Sequence, residues 1–500
     1  MDAEARPAWR GAYRRAPTFP DVEDRSILAG GGPLSAAHPA AFHGPAALAA
    51  RSAGRLAAAV GLLLFAVATG VALSKHPFPW TLVLAFGIGL LGTLALAVAR
   101  YDAAVGLGIV LLAAVRIEPA PADLILFVVI AVACVTGRFY IRRIPLIVTA
   151  LLSVFLALNM LASVELIDVG RGVTFFAITL YLVIFSLWLT GYVHSTYTAR
   201  VVLRAYIFAA VFSAAISVLA LFVAFPGHDF LIRGPRAQGL FKDPNVLGPF
   251  LVPAALMLLE ETVAPRLLRA RLASKLVLLS ILTIGILFAF SRAAWLNFVI
   301  GAFVMFCVLS LRRGGGRRAA TFVVAGVSAT AVLFAALAVT SSFTFLSERA
   351  RFQTYDVQRF GAQLSGIELA TKYPLGIGPG QFERISPISA HSTYVRALSE
   401  EGVLGLLVVL TLLLLTLAFA GRNAILGRDT YGIGSAALLA AWCGLLANSV
   451  FIDTLHWRHF WFLAALIWAG AARPVAGSPL GQAWSPSSPR SRRSASFGRR

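Results

Sequence analysis

His391, Arg236, Arg292 and Arg359 are the residues of this 500-residue chain whose types and surroundings suit chemistry. An imidazole exchanges protons near neutral pH. Guanidinium groups grip phosphate oxygens through paired, charge-assisted hydrogen bonds. Together they suit a site that holds an anion and moves a proton. No HExxH motif and no close carboxylate pair lies in the same set of loops, so metal-dependent and two-carboxylate mechanisms have little support.

Each residue sits in a distinctive local string. Arg236 belongs to RGPRAQGLFKDPNVLGPF, where Pro244 is suited to a helix first turn and the adjacent helix start favours phosphate. Arg292 interrupts ILFAFSRAAWLNFVI, a turn between apolar runs with scarcely a polar neighbour. The ordinary reading of either arginine is a snorkelling residue at the membrane interface. An Arg so close to hydrocarbon is costly, however, and such residues usually face a polar cavity. Arg359 lies in a segment with helical periodicity after Tyr355, which would place Ile367, Leu369 and Ala370 at a membrane surface. The GIGPG string that follows lacks the strand and Lys of a phosphate-cradling loop and reads as a structural turn. His391 opens HSTYVRALSEEGVLGLL, just ahead of an apolar run. His456 and His459, near Trp457 and Trp461, read as members of an interfacial aromatic belt.

The elements that must position these residues are membrane helices. The chain is 59% hydrophobic and only 13% charged, against about 25% charged for a soluble domain. Apolar runs of about 20 residues recur from Leu64 to Leu466, predicting an all-α polytopic bundle of roughly 12–14 transmembrane helices. The net charge of +21 does not indicate nucleic acid, because the Arg residues are dispersed through short loops and tails. Those loops alternate. Arg138, Arg142, Arg143, Arg200, Arg204, Arg266, Arg269, Arg271, Arg312, Arg422 and Arg428 mark one side as cytoplasmic, together with both termini. Cys134, Cys307 and Cys443 lie within apolar runs and lack metal-ligand spacing, so neither a disulfide framework nor a metal site is expected.

The expected organisation is a disordered cytoplasmic tail (1–53), N-terminal and central transmembrane helices (54–340), one large periplasmic loop (341–397), C-terminal helices (398–472) and a second disordered tail (473–500). Arg233, Arg236, Lys242, Arg292, Arg349, Arg351 and Arg359 fall on the outer side, against the positive-inside bias. An anionic ligand at that interface would account for them.

Five strings in order carry a resemblance: RAQGLFKDPN (236–245), SRAA (291–294), RFGAQLSGIELATKYPLGIGPGQF (359–382), HSTYVRALSEEGVLGL (391–406) and DTLHWRHFWFL (453–463). In order and spacing the chain resembles the bacterial O-antigen ligase and polymerase family, polytopic glycosyltransferases that use undecaprenyl-diphosphate-linked sugar donors. The resemblance implies a GT-C-like bundle in the bacterial inner membrane, with a periplasmic active site and no cofactor or metal. It implies donor diphosphate binding by Arg236 and Arg292 and catalysis by His391, while Arg359 is the large loop's own candidate for a supporting contact. The family often has Asn after the His, where this chain has Ser392.

The reaction so implied moves a polysaccharide from undecaprenyl diphosphate to an acceptor hydroxyl, with lipid A core as the first-choice acceptor. The leaving group needs charge neutralisation, which arginines can supply in place of a metal ion. His391 would deprotonate the attacking hydroxyl, and direct attack would invert the anomeric centre. A polymerase of the same family, joining repeat units on the same carrier, is the second reading. A transporter or flippase for a lipid-linked glycan is the reading from another class, disfavoured by the lack of an internal repeat.

Overall fold

Short side chains that accept hydrogen bonds punctuate the apolar runs and decide where helices begin. Asp168, Ser195, Asp243, Ser291 and Ser392 are all N-caps whose side-chain oxygens accept backbone amides of the first turn. The computed structural model of the protein describes residues 79–312 and 353–472, with scattered positions between 316 and 351. The tails 1–53 and 473–500, the runs centred at Leu64 and Leu333, and Arg349 lie outside the described residues.

The N-terminal part consists of α1 (Pro79–Ala99), α2 (Tyr101–Val110), α3 (Pro121–Val135), α4 (Leu146–Ala162), α5 (Val169–Tyr192) and α6 (Thr196–Phe222). A short antiparallel hairpin, β1 (Ile232–Arg233) and β2 (Arg236–Ala237), leads into α7 (Pro244–Val263), α8 (Leu272–Phe288) and α9 (Arg292–Leu311). Then come α10 (Thr354–Lys372), the single turn α11 (Phe382–Ile385), α12 (Thr393–Ile425), α13 (Ser435–Asn448) and α14 (Arg458–Ala471). Among the described residues α5, α6, α7, α9 and α12 are long and apolar enough to cross a membrane, and six further apolar helices are shorter. This is an all-α polytopic membrane protein.

Helix α7 is the central post, buried along nearly its whole length and packed against α6, α8, α9 and α13. Its interior prolines, Pro249 and Pro253, are tolerated because neighbouring helices enclose the backbone. Lipid-facing positions are recognisable by exposed apolar side chains: Val299 and Phe303 on α9, Leu404, Leu407 and Leu414 on α12. A small residue sets the contact between α9 and α13. A Cβ on Gly444 of α13 would sit 2.3 Å from the Asn297 carbonyl oxygen of α9, so only glycine lets these backbones approach.

At the end of the bundle away from the hairpin, buried carboxylates hold the helix termini together. Glu260 at the end of α7 accepts the Ala437 amide at 2.6 Å and pairs with Arg266 (3.2 Å), while Arg266 also reaches Asp429 (2.7 Å). Glu261 accepts the amides of Arg266 and Leu267. These contacts explain two buried acids by structure alone.

Candidate active site

A hairpin and two helix starts meet at the opposite end. Arg236 on β2 donates Nε to the Ala289 carbonyl at 3.0 Å and Nη2 to Asn245 Oδ1 at 2.8 Å. Ala289 lies in the link that delivers Arg292, and Asn245 is the second residue of α7. Arg236 thus stitches the starts of α7 and α9 together. Gly248 permits that approach, because a Cβ there would meet the Ala294 Cβ at 2.6 Å. Two helix N-termini, each with a favourable dipole for anions, consequently lie side by side. Arg292 is not a turn residue: it is the first residue of α9, and Ser291 caps the helix by accepting the Ala294 amide at 3.4 Å.

The third wall is α10. Residues 356, 359 and 363, at helical spacing, turn inward, and with Asn245, Ser291, Arg292, Tyr355 and Phe451 they line a cleft of about 240 Å³. Arg292 donates Nη2 to the Tyr355 hydroxyl at 2.9 Å and to Asp356 Oδ1, and Nη1 to the Arg351 carbonyl at 3.2 Å. Burial tends to raise the Asp356 carboxyl, but the Arg292 guanidinium outweighs it and holds the group below the usual carboxylate range. Arg359 donates to the Phe451 carbonyl and lines the same cleft. The outer side of α10 exposes Val357, Leu364 and Ile367, whereas Ala370 turns inward and is buried. Ile367 and Ala370 therefore do not share one membrane-facing surface.

His391 is half-buried and adopts φ +45°, in the left-handed region that costs a non-glycine residue energy unless its surroundings enforce it. Here the neighbours do enforce it. Ala390 is fully buried, Ser392 caps α12, and the His391 carbonyl accepts Gln363 Nε2 at 3.2 Å. Burial, then the nearby positive charges of Arg359 and Arg396, lowers the imidazole to about 4. At neutral pH it is therefore uncharged.

The HSTY string is otherwise architectural. Thr393 Oγ1 lies 3.0 Å from Thr454 Oγ1 and accepts the Thr454 amide at 2.8 Å, while the Ser449 hydroxyl meets Thr454 at 2.8 Å. Tyr394 donates its hydroxyl to the Leu446 carbonyl at 3.0 Å. These bonds lock the start of α12 to the link before α14. Two residues on, the Arg396 side chain is buried and paired with Glu383, Glu400 (2.8 Å) and Asp453 (2.9 Å). Burial would raise the Asp453 carboxyl, but Arg396 and then His456 bring it to about 2.

The GIGPG turn does cradle an anion, and that anion belongs to the chain. Glu400 accepts the amides of Gly380 (2.8 Å) and Phe382 (3.1 Å). Its backbone carbonyl and that of Ser399, freed by a kink at Gly402 (φ +74°), accept the amides of Gly378 and Ile377. Gly376 (φ +91°) lies so close to the kink that a Cβ would come within 2.3 Å of the Glu400 oxygen.

The four residues singled out by sequence therefore converge by two routes. Arg292 and Arg359 line the cleft directly, Arg236 joins through Asn245, and His391 joins through Gln363. Of the remaining outer cations, Arg233 pairs with Asp243 at 2.6 Å and Lys242 with Glu118 at 2.5 Å. Their placement needs no ligand. His459 is buried against Phe250 and Trp457 rather than lying in an exposed belt. Sequence reading passed over Asp356, Gln363 and Arg396. Only Arg396 left a trace, in its i,i+4 spacing from Glu400.

Residues 276–410 match the family model described as O-antigen ligase. The matched stretch takes in Arg292, Arg359 and His391 and begins after Arg236. No curated protein matches the chain.

Proposed function

We propose, from the match of residues 276–410 to the O-antigen ligase family model, that this chain is a glycosyltransferase of that family that moves a glycan from undecaprenyl diphosphate to an acceptor hydroxyl, most simply that of lipid A core. The observation that carries the reading is that Arg292 and Arg359 line one cleft beside adjacent helix N-termini, with Arg236 bonded to its Asn245 wall and the His391 carbonyl bonded to its Gln363 wall.

In this proposal the guanidiniums hold the donor diphosphate and offset charge as the bond from the anomeric carbon to the phosphate oxygen breaks. The acceptor oxygen attacks that carbon from the opposite face, and His391 takes the hydroxyl proton. Undecaprenyl diphosphate leaves with the bonding electron pair. The anomeric centre inverts, and three positive side chains supply the neutralisation that a metal ion provides elsewhere. The site lies at the periplasmic face of a bacterial inner membrane, where both lipid-linked donor and acceptor are presented.

Transfer by purified protein in lipid nanodiscs, from lipid-linked donor to lipid A core, tests the reading. Product of inverted configuration is expected, and its loss in His391→Ala and Arg292→Ala with insertion preserved. Retained configuration, or normal transfer by both variants, would overturn the site. The polymerase reading shares the donor geometry, because every residue assigned here acts on diphosphate or on a hydroxyl proton. Extension of a lipid-linked repeat unit with no transfer to lipid A core would select it.

A further inference from the structure

Arg292 meets the cleft already holding an anion. Its side chain is 30% exposed, while that of Asp356 is only 7% exposed and lies behind it. An anion arriving through the cleft reaches the guanidinium before the carboxylate. The carboxylate itself is fixed, because its other oxygen, Oδ2, accepts the Gln353 amide at 2.8 Å and so caps α10. Arg359, one turn further along α10, adds a second positive charge that acts on Asp356.

We propose that Asp356 is an internal competitor for Arg292: it holds the guanidinium in place between turnovers and is exchanged for the donor diphosphate when substrate binds. The inference rests on the donor-binding reading of Arg292. A phosphate gripped in bidentate fashion needs two N–H donors on one edge of the guanidinium. At Nη2 the donors are engaged by Asp356 Oδ1 and the Tyr355 hydroxyl. Binding is therefore a swap of one anionic partner for another. Because the carboxylate is pinned by its capping bond, the arginine is the group that moves. The same swap in reverse helps expel the product, which carries the same diphosphate as the donor. Asp356 is a positioning residue in this account and touches no substrate.

The test measures binding of inorganic diphosphate, and separately of a short polyprenyl diphosphate, to full-length protein in nanodiscs. Asp356→Asn keeps an oxygen for the capping bond and removes the competing charge. Its dissociation constant should fall by roughly threefold to tenfold, with stronger product inhibition in turnover. Asp356→Asn placed on Arg292→Ala should give no such gain. Glu118→Gln, which removes a carboxylate at the same end of the bundle, should leave affinity unchanged.

Equal tightening in the Arg292→Ala background, or by Glu118→Gln, would assign the effect to general repulsion and overturn the proposal. Unchanged or weaker binding by Asp356→Asn, with Arg292→Ala still weakening it, would overturn the competitor while leaving the donor site intact. If wild type binds neither probe, both fall.

Discussion

The Gln363 side chain donates Nε2 to the backbone carbonyl of His391 at 3.2 Å, tying the residue that ends the loop to the helix that lines the cleft. The same amide lies 3.3 Å from the Val450 carbonyl. One side chain thus registers α10, the strained His391 backbone and the link after α13. Gln363→Leu should lower turnover by roughly twofold to tenfold, as loss of one ordinary hydrogen bond would. His391→Ala should lower it by about 10²–10⁴, with donor binding nearly unchanged. Steady-state kinetics on inserted protein checks both, and a turnover defect in Gln363→Leu as large as that of His391→Ala would contradict the tether.

The environment of His391 gives a pH prediction with a definite sign. The base must be neutral to work, and burial followed by Arg359 and Arg396 lowers it to about 4. Activity should therefore persist as pH falls through the ordinary value of 6.5 and be lost only near 4. Arg359→Ala removes one of the depressing charges and should move that limb upward, whatever it does to the absolute rate. The pH profile of kcat/KM reports this free-enzyme behaviour. A wild-type limb at 6.5 would contradict it.

Arg236 and Arg292 should contribute to donor affinity through charge-assisted bonds. Alanine at either position should weaken binding of lipid-linked donor by on the order of tenfold to a hundredfold. Lysine should recover only part of the loss, because an ammonium cannot present the planar pair of donors. Direct binding measurements distinguish the two substitutions.

Arg396 should behave differently, as an architectural residue. Its buried guanidinium balances Glu383, Glu400 and Asp453, and its removal strands carboxylates away from water. Arg396→Ala should destabilise the protein by about 3–5 kcal/mol, read as a large fall in melting temperature in detergent. His391→Ala, by contrast, should melt close to wild type. Near-equal melting temperatures would show that the network carries little of the fold's stability.

Much of this protein is determined by sequence alone. Long apolar runs have few ways to satisfy their backbone in lipid, so composition dictates helices, and capping residues such as Asp243 and Ser291 mark where they start. Four chemically conspicuous residues were also legible, because arginine beside hydrocarbon and histidine in a polar loop are costly or rare. Asp356 gave no such signal: an acid in the first turn of a helix is ordinary, and its importance arises only when α10 is laid against α9. The GIGPG turn was legible as a turn, but only packing revealed that it satisfies the carbonyls of the Gly402 kink and holds Glu400. Tertiary structure likewise separated Arg233 and Lys242, which pair with carboxylates outside the cleft, from Arg292, which lines the cleft, and Arg236, which is bonded to its Asn245 wall. The physical reason is common to all these cases. Local energetics fixes which segments are helical and where they end, whereas ion pairs and clefts depend on contacts between residues distant in the chain, and those exist only after the helices have packed.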